Sequence, residues 1–501
     1  MQLGIDLGTT RTIVALVDRG NYPVVSFTDA DGDTVDHFPS VVARRGDGLV
    51  YGFEAERAAA EGALLVRSFK RELASGSIAG GTTIDVDGLQ VRLVDLVSGF
   101  LAALADALRT ASNVATLLAD GEPLEAVVAV PAHAHSAQRF LTLEAFRAAG
   151  FSVLGLLNEP SAAGFEFTHR QPRSVNSRRT RVVVYDLGGG TFDASLVRVD
   201  DLTHEVLDSV GVNRLGGDDF DEVLAACART EVGSRVELTG RERAALLDEC
   251  RVAKENLSPQ SKRIALEVGH APVVVGVDAF YAAATPLVEA TLTALEPLLY
   301  GLDDGQLTAA EVAGVYLVGG ASGLPLVARV LRERFGRRVH RSPYPAASTA
   351  IGLAIAADRT SGFHLTDRLS RGFGVFREWD AGAQLAFDAI LDRDQRTSPD
   401  ADVVVTRRYR PVHNVGAFRF VEYSRLGATG QPTGDVVPFG EVLFPYDRAL
   451  RDGRDLGSVP VERVGEGPLV EESYTIDRHG IVTARITDLE DGFSLSSRLA
   501  G

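Results

Sequence analysis

Apolar and polar residues alternate, or give way to short unbroken apolar runs, in a way that cuts the chain into strand- and helix-sized pieces. Two of these pieces look alike. Gly4-Ile5-Asp6-Leu7-Gly8-Thr9-Thr10 leads into the alternating stretch Thr12 to Val17, and Val184 to Asp193 leads into a similar stretch, Ala194 to Val199. Each pattern predicts a strand, a tight glycine turn carrying Asp and Thr, and a returning strand, which is a β-hairpin. The copies stand about 180 residues apart, which predicts a duplicated α/β lobe with a cleft between the copies.

Helical spacing of apolar residues runs from Leu93 to Leu118, and Leu124 to Val130 is a buried-type strand closed by Pro131. Ser136 to Ala149 predicts a helix with Gly150 at its C-terminal cap, and Arg241 to Leu257 an amphipathic helix ahead of Ser258-Pro259. Val315 to Val318 is a strand opening into Gly319-Gly320, with one helix after Pro325 and another from Ala347 to Ala357. Beyond Ser361-Gly362 the pattern changes to short alternating runs. They are Ala386 to Ile390, Val403 to Tyr409, Phe418 to Tyr423, Val459 to Val464, Glu472 to Asp477 and Ile481 to Ile486. Gly, Pro, Asp and Asn separate them, which predicts an all-β module. The predicted division is an α/β domain over 1–360, a linker over 361–369 and a β-domain over 370–501.

Composition narrows the function classes. The 501 residues carry 45% hydrophobic and 24% charged residues, ordinary for a soluble globular protein of more than one domain. A net charge of −17 disfavours nucleic acid and anionic membrane as partners. The densest basic cluster, Arg337, Arg338, His340 and Arg341, is explained by a solvated strand edge. Two cysteines, Cys227 and Cys250, exclude a disulfide framework and fit a reducing compartment. The chain opens directly on a strand, with no targeting pattern and no membrane-length apolar run, so a cytoplasmic location is expected. Only three lysines, Lys70, Lys254 and Lys262, stand among 51 basic residues, and a lysine kept where arginine is the rule hints at a task for a compact ammonium.

A phosphate chain held in a cleft needs backbone N–H groups that approach closely, hence glycine at the turn, and carboxylates that hold Mg²⁺ through its waters. Asp6 with Gly8, Thr9 and Thr10, and Asp186 with Gly188, Gly189, Gly190 and Thr191, supply that set twice. One Asp-x-Gly-Thr turn alone would be a plain turn; two in matching strand contexts point to phosphate. Gly319-Gly320 adds a third close approach, to a nucleoside.

These motifs, with Val130-Pro131-Ala132, Asn158 to Ala163, Leu215 to Asp221 and Ala253-Lys254, resemble the 70-kDa heat-shock (DnaK-type) chaperones, in family order over roughly residues 3 to 357. The resemblance implies duplicated actin-like (ribonuclease-H-like) ATPase lobes followed by an all-β sandwich, with ATP or ADP and Mg²⁺ as cofactors. It implies that Gly8, Thr9, Thr10 and Arg11 grip phosphates opposite Gly188 to Thr191, and that Asp6 and Asp186 hold the hydrated metal. Lys70, Glu159, Asp186, Thr191 and Asp193 take catalytic places by the same match. Gly216, Gly217, Asp218, Arg251, Lys254, Glu255, Ser258, Gly319, Gly320 and Ala321 take nucleotide places, and Pro131 with Arg139 a relay that reports nucleotide state. Partners implied are extended client peptides, with co-chaperones or nucleotide-exchange factors.

Departures from the family pattern cluster at the adenosine end. Arg251 stands where the family has an acid and Glu255 where it has a base, Gly323 replaces a basic residue, and Ala346 an acidic one. Beyond the cleft, Ile390 to Arg393, Ser398-Pro399 and Tyr474 to Val482 echo the family's peptide-binding sandwich. The linker residues His364 to Leu369 are more polar than the family's, and the chain ends at Gly501 without the helical lid. The expected function is an ATP-hydrolysing chaperone of this type. A nucleotide-gated adaptor without catalysis, or an actin-fold small-molecule kinase, are the alternatives.

Overall fold

The computed structural model describes residues 1–74, 82–119, 121–170, 179–233, 237–299, 312–366, 369, 371–379, 384–392, 395 and 401–497. The expectations placed on Asp367, Arg368, Arg393, Ser398, Pro399 and Gly501 lie outside the described residues. The chain divides into two compact units, one of residues 1–73, 83–133 and 144–365, the other of 74–82, 134–143 and 366–501.

Two of the first unit's sheets have the same local order. In one, Gln2–Leu7 lies between its hairpin partner Arg11–Leu16 and the parallel strand Leu124–Val130, with Phe151–Asn158 beyond. In the other, Arg181–Leu187 lies between its hairpin partner Phe192–Asp200 and the parallel strand Val312–Val318, with Val339–Arg341 beyond. The registers match as well, Asp6 standing across from Ile13 and Asp186 across from Asp193. Both predicted hairpins are therefore present, and Val339–Arg341 is the sheet-edge strand that the basic cluster implied. Thr203–Val212 and His364–Thr366 complete the second sheet, so part of the predicted linker is a strand.

Two helices, Glu159–Arg170 and Ser348–Ala357, pack closely against these sheets. Nine of the ten residues of Ser348–Ala357 are buried, as expected for a helix that is apolar on all sides. Its approach demands glycine. A Cβ at Gly352 would stand 1.8 Å from the Ala162 carbonyl oxygen, and one at Gly4 would stand 2.2 Å from the Ala354 nitrogen.

Two sequence expectations need correction. The helix expected through Leu118 is Leu93–Thr110, because Ser112 and Asn113 redirect the backbone. The Ser112 hydroxyl donates to Leu108 O at 2.7 Å and accepts from Val114 N–H, while Asn113 Oδ1 accepts from Ser26 N–H. Val459 to Val464 is not a strand. Pro460 has no N–H to give a ladder, and Asn414 clamps the segment instead, donating to Pro460 O and accepting from Glu462 N–H.

The second unit holds two four-stranded antiparallel sheets that share one core. One contains Gly372–Trp379, Gln384–Leu391, Val415–Leu426 and Pro432–Pro445; the other contains Val403–Tyr409, Val470–Ile476, Val482–Asp488 and Ser494–Ser497. Phe373, Phe418, Phe420 and Phe444 from the first meet Val470, Tyr474, Ile476 and Ile486 from the second.

Candidate functional site

Four glycine turns of the first unit converge on one cleft of about 1120 Å³, close to the upper size of small-molecule pockets. In the first hairpin, Gly8 N–H donates to Asp6 O at 3.0 Å, and a Cβ on Gly8 would stand 2.1 Å from Arg11 O. In the second, Gly188 N–H donates to Thr191 O at 3.0 Å. The two turns touch. A Cβ on Gly189 would stand 2.8 Å from Thr10 Cγ2, and one on Gly190 would stand 2.7 Å from Thr9 Oγ1. Gly217 and Asp218 N–H groups donate to Gly188 O and Gly189 O at 2.9 and 2.8 Å, which ties the third turn to the second. Gly216 caps the helix Gly217–Val232 there. In the fourth turn Gly319 has φ of +82°, and a Cβ on it would stand 2.3 Å from Asp186 Oδ1. Both the left-handed backbone and the contact require glycine.

Charge is concentrated beneath these turns. Lys70 Nζ donates to Glu159 Oε1 at 2.7 Å, both side chains being nearly buried. Asp6, Asp186 and Asp193 share the same electrostatic neighbourhood. Burial, then repulsion from Glu159, pushes Asp6 up to about 7, with Lys70 opposing. Asp193 is pushed up to about 7 by burial and Glu159, although it accepts Ala132 N–H at 2.9 Å. Asp186 is raised well above the usual carboxylate range by burial and by Glu159, Asp6 and Asp193. The Lys70 pKa is raised, burial opposing but Glu159 and Asp6 prevailing.

Four carboxylates facing one ammonium leave a surplus of negative charge, which a divalent cation would relieve. Among the described residues no group of three or more His, Cys, Asp or Glu side chains is arranged to hold a metal directly. The surplus of carboxylates fits a hydrated Mg²⁺, which keeps its waters and contacts few carboxylates.

Most predicted site residues line this cleft: Asp6, Gly8, Thr9, Thr10, Arg11, Lys70, Glu159, Asp186, Gly188, Gly189, Thr191, Gly217, Asp218, Arg251, Lys254, Glu255, Ser258, Gly319, Gly320 and Ala321. Gly190, Gly216 and Asp193 stand directly behind that lining. Pro131 does not reach the cleft; the next residue, Ala132, donates its N–H to Asp193. Arg139 falls in the second unit, donating to His479 O at 3.1 Å.

The charge-inverted residues do not pair with each other. The Arg251 guanidinium lies 3.5–3.6 Å from Asp218, Asp221 and Asp248. Glu255 reaches instead to Arg11 on the first hairpin. Lys254 Nζ bonds Asp221 and Gly217 O, each at 2.6 Å. Asp221, pushed up to about 6 by burial with Lys254 opposing, went unnoticed as a separate site residue, as did Ser68 and Arg71. Ser68 donates to Asp218 at 2.6 Å, and Arg71 donates to Gly190 O and Asp219 at 2.8 and 2.7 Å. Nothing local in the sequence marks Ser68 or Arg71, apart from their neighbour Lys70.

A family model described as Hsp70 protein matches residues 102–384. Proteins described as "Chaperone protein HscA homolog" from Burkholderia orbicola (strain MC0-3) and Burkholderia ambifaria (strain MC40-6) are 36% and 37% identical over 379 and 378 residues. The matches cover 72% of this chain and 59% of each relative.

Proposed function

The chain belongs to the Hsp70 family, and on that premise we propose that it binds and hydrolyses ATP in the cleft of its first unit. The observation that carries this is the buried set Lys70, Glu159, Asp186 and Asp193, with half-buried Asp6, beneath two glycine–threonine turns in mutual contact. In this reading the two sheets are duplicated actin-like lobes, and their repeated strand order supports it. Thr9, Thr10 and the N–H groups of the turn Gly188 to Thr191 bind the phosphates. Asp6 and Asp186 hold the waters of Mg²⁺, which when bound neutralises phosphate charge. Lys70 adds positive charge where the leaving phosphate gains negative charge, and Asp193 orients the attacking water and holds its proton. Phosphoryl transfer needs such charge placement and an ordered nucleophile more than covalent participation.

The second unit, read as a β-sandwich, is proposed to bind extended peptide segments of client proteins, and hydrolysis to couple to that binding through Pro131 and Arg139. The relatives' description as chaperones supports this proposal. Steady-state phosphate release by the full chain, measured with and without an extended apolar peptide, tests both parts. Turnover stimulated by peptide and abolished by Asp186→Asn is the expected result. No release above the Asp186→Asn background would reject catalysis. That outcome, together with tight nucleotide binding, would favour a gated adaptor, a reading to which the commitment of Arg251 to three aspartates gives some weight.

A further inference from the structure

Among the arginines that line the nucleotide cleft, most are already engaged. Arg11 is paired with Glu255 and Arg251 with three aspartates, and the Arg329 guanidinium lies 5.2 Å from the centre of the Tyr281 ring. Arg341 differs. It ends the edge strand Val339–Arg341, in register with Leu317, just before the Gly319 turn of the neighbouring strand. Its side chain is exposed in the cleft and makes no hydrogen bond or ion pair among the described residues. It is also the one neighbour within 4 Å of the space beside Gly323, where an added Cβ would stand 3.1 Å from Arg341 Nη2.

Gly323 closes the short helical turn Gly320–Gly323 and has an ordinary backbone angle, so conformation does not explain the glycine. A side chain at 323 would instead make the flexible Arg341 guanidinium give way by a few tenths of an ångström, so glycine leaves that space to Arg341. We propose that Arg341 is the residue that contacts the nucleotide base, its guanidinium entering the space left by Gly323 and stacking on the purine face. This rests on the nucleotide-binding reading above and names a specificity determinant within it. A planar, weakly hydrated guanidinium is suited to an aromatic face, and such contacts are worth a few-fold to about thirty-fold in affinity. The surplus cation needs no carboxylate partner in the protein when the base supplies its π surface.

The test compares ADP with ribose 5-diphosphate, which keeps the phosphates and lacks the base, in competition binding to the full chain with Mg²⁺. Arg341→Ala is expected to weaken ADP about 3- to 30-fold and leave ribose 5-diphosphate unchanged. In that background Gly323→Arg, now free of that contact, is expected to restore ADP affinity. Equal weakening of both ligands would overturn the proposal in favour of a phosphate-binding role. Unchanged ADP affinity in Arg341→Ala, with the wild type binding ADP, would overturn it alone. A wild type that binds neither ligand would overturn the nucleotide reading together with it.

Discussion

Replacing Lys70 by alanine removes the one ammonium that faces Glu159, Asp6, Asp186 and Asp193. Two consequences separate. On stability, deleting one member of a buried pair costs about 3–5 kcal/mol if the orphaned carboxylate stays charged. That is an upper bound here, since the cluster can take up a proton instead. Lys70 lowers the pKa of Asp6, Asp186 and Asp193, so its loss drives all three further up. An acid whose pKa rises on folding stabilises fully below its unfolded value, near 4, and loses that contribution as pH rises through its folded value. For Asp6 and Asp193 that folded value is already about 7 in the wild type. The destabilisation by Lys70→Ala should therefore be small at pH 6 and grow towards pH 8.5.

On chemistry, loss of one preorganised charge-stabilising group lowers turnover by about 10²- to 10³-fold, with nucleotide binding largely intact. The assays are single-turnover phosphate release, ADP titration and urea unfolding at both pH values. Lys70→Ala/Glu159→Gln is the control. Deleting both partners should recover more than half of the lost stability and none of the turnover. Wild-type-like turnover by Lys70→Ala would refute the assignment. So would a loss of activity that the double variant recovers along with stability, because the lysine would then be structural.

The Arg11–Glu255 pair crosses the cleft mouth with side chains 40% and 38% exposed, so it is worth at most about 1 kcal/mol. Glu255→Gln should speed release of a fluorescent ADP by no more than about 5-fold, and a change beyond 30-fold would contradict a solvent-screened contact. Gly352→Ala must push apart two helices whose backbones leave 1.8 Å for the new methyl. In a unit of this size an overpacking cost of about 1–3 kcal/mol lowers the melting temperature by about 1–4 °C, and an unchanged melting temperature would deny the close approach. His204 is wholly buried, and burial pushes its pKa down to about 4. The unfolded chain then binds the extra proton between about pH 6.5 and 4, so acidification across that window costs up to about 3 kcal/mol. His204→Gln should flatten the pH dependence of urea unfolding there, and an unchanged slope would refute this source.

Residues whose meaning is local were legible in the sequence. The two hairpins were read correctly because a turn needing close backbone approach must show glycine, and strands must show alternation, within a dozen residues. Leu124–Val130 was bounded correctly, and the start of Pro325–Phe335 was placed, because proline marks those points. The failures share one cause. Val459 to Val464 has strand-like alternation, but Asn414, some fifty residues earlier, takes the backbone groups a ladder would use. The helix Val277–Leu299 escaped notice because Pro286 and Pro297 speak against a helix, and packing against the core overrides them. At the site, Glu255 stands in sequence where the family has a base, four residues from Arg251, yet its partner Arg11 lies 244 positions away.

Gly323 sharpens the same point. Read in sequence, a glycine in place of a basic residue is a departure at the adenosine end whose effect on affinity stays open. In the fold the vacancy borders Arg341, which sequence reading assigned to a solvated strand edge. That edge assignment was correct for the backbone and incomplete for the side chain. Whether a departure from a family pattern weakens a site thus depends on what the neighbouring strand delivers into the space, and only the pairing of Leu317 with Arg341 supplies that information.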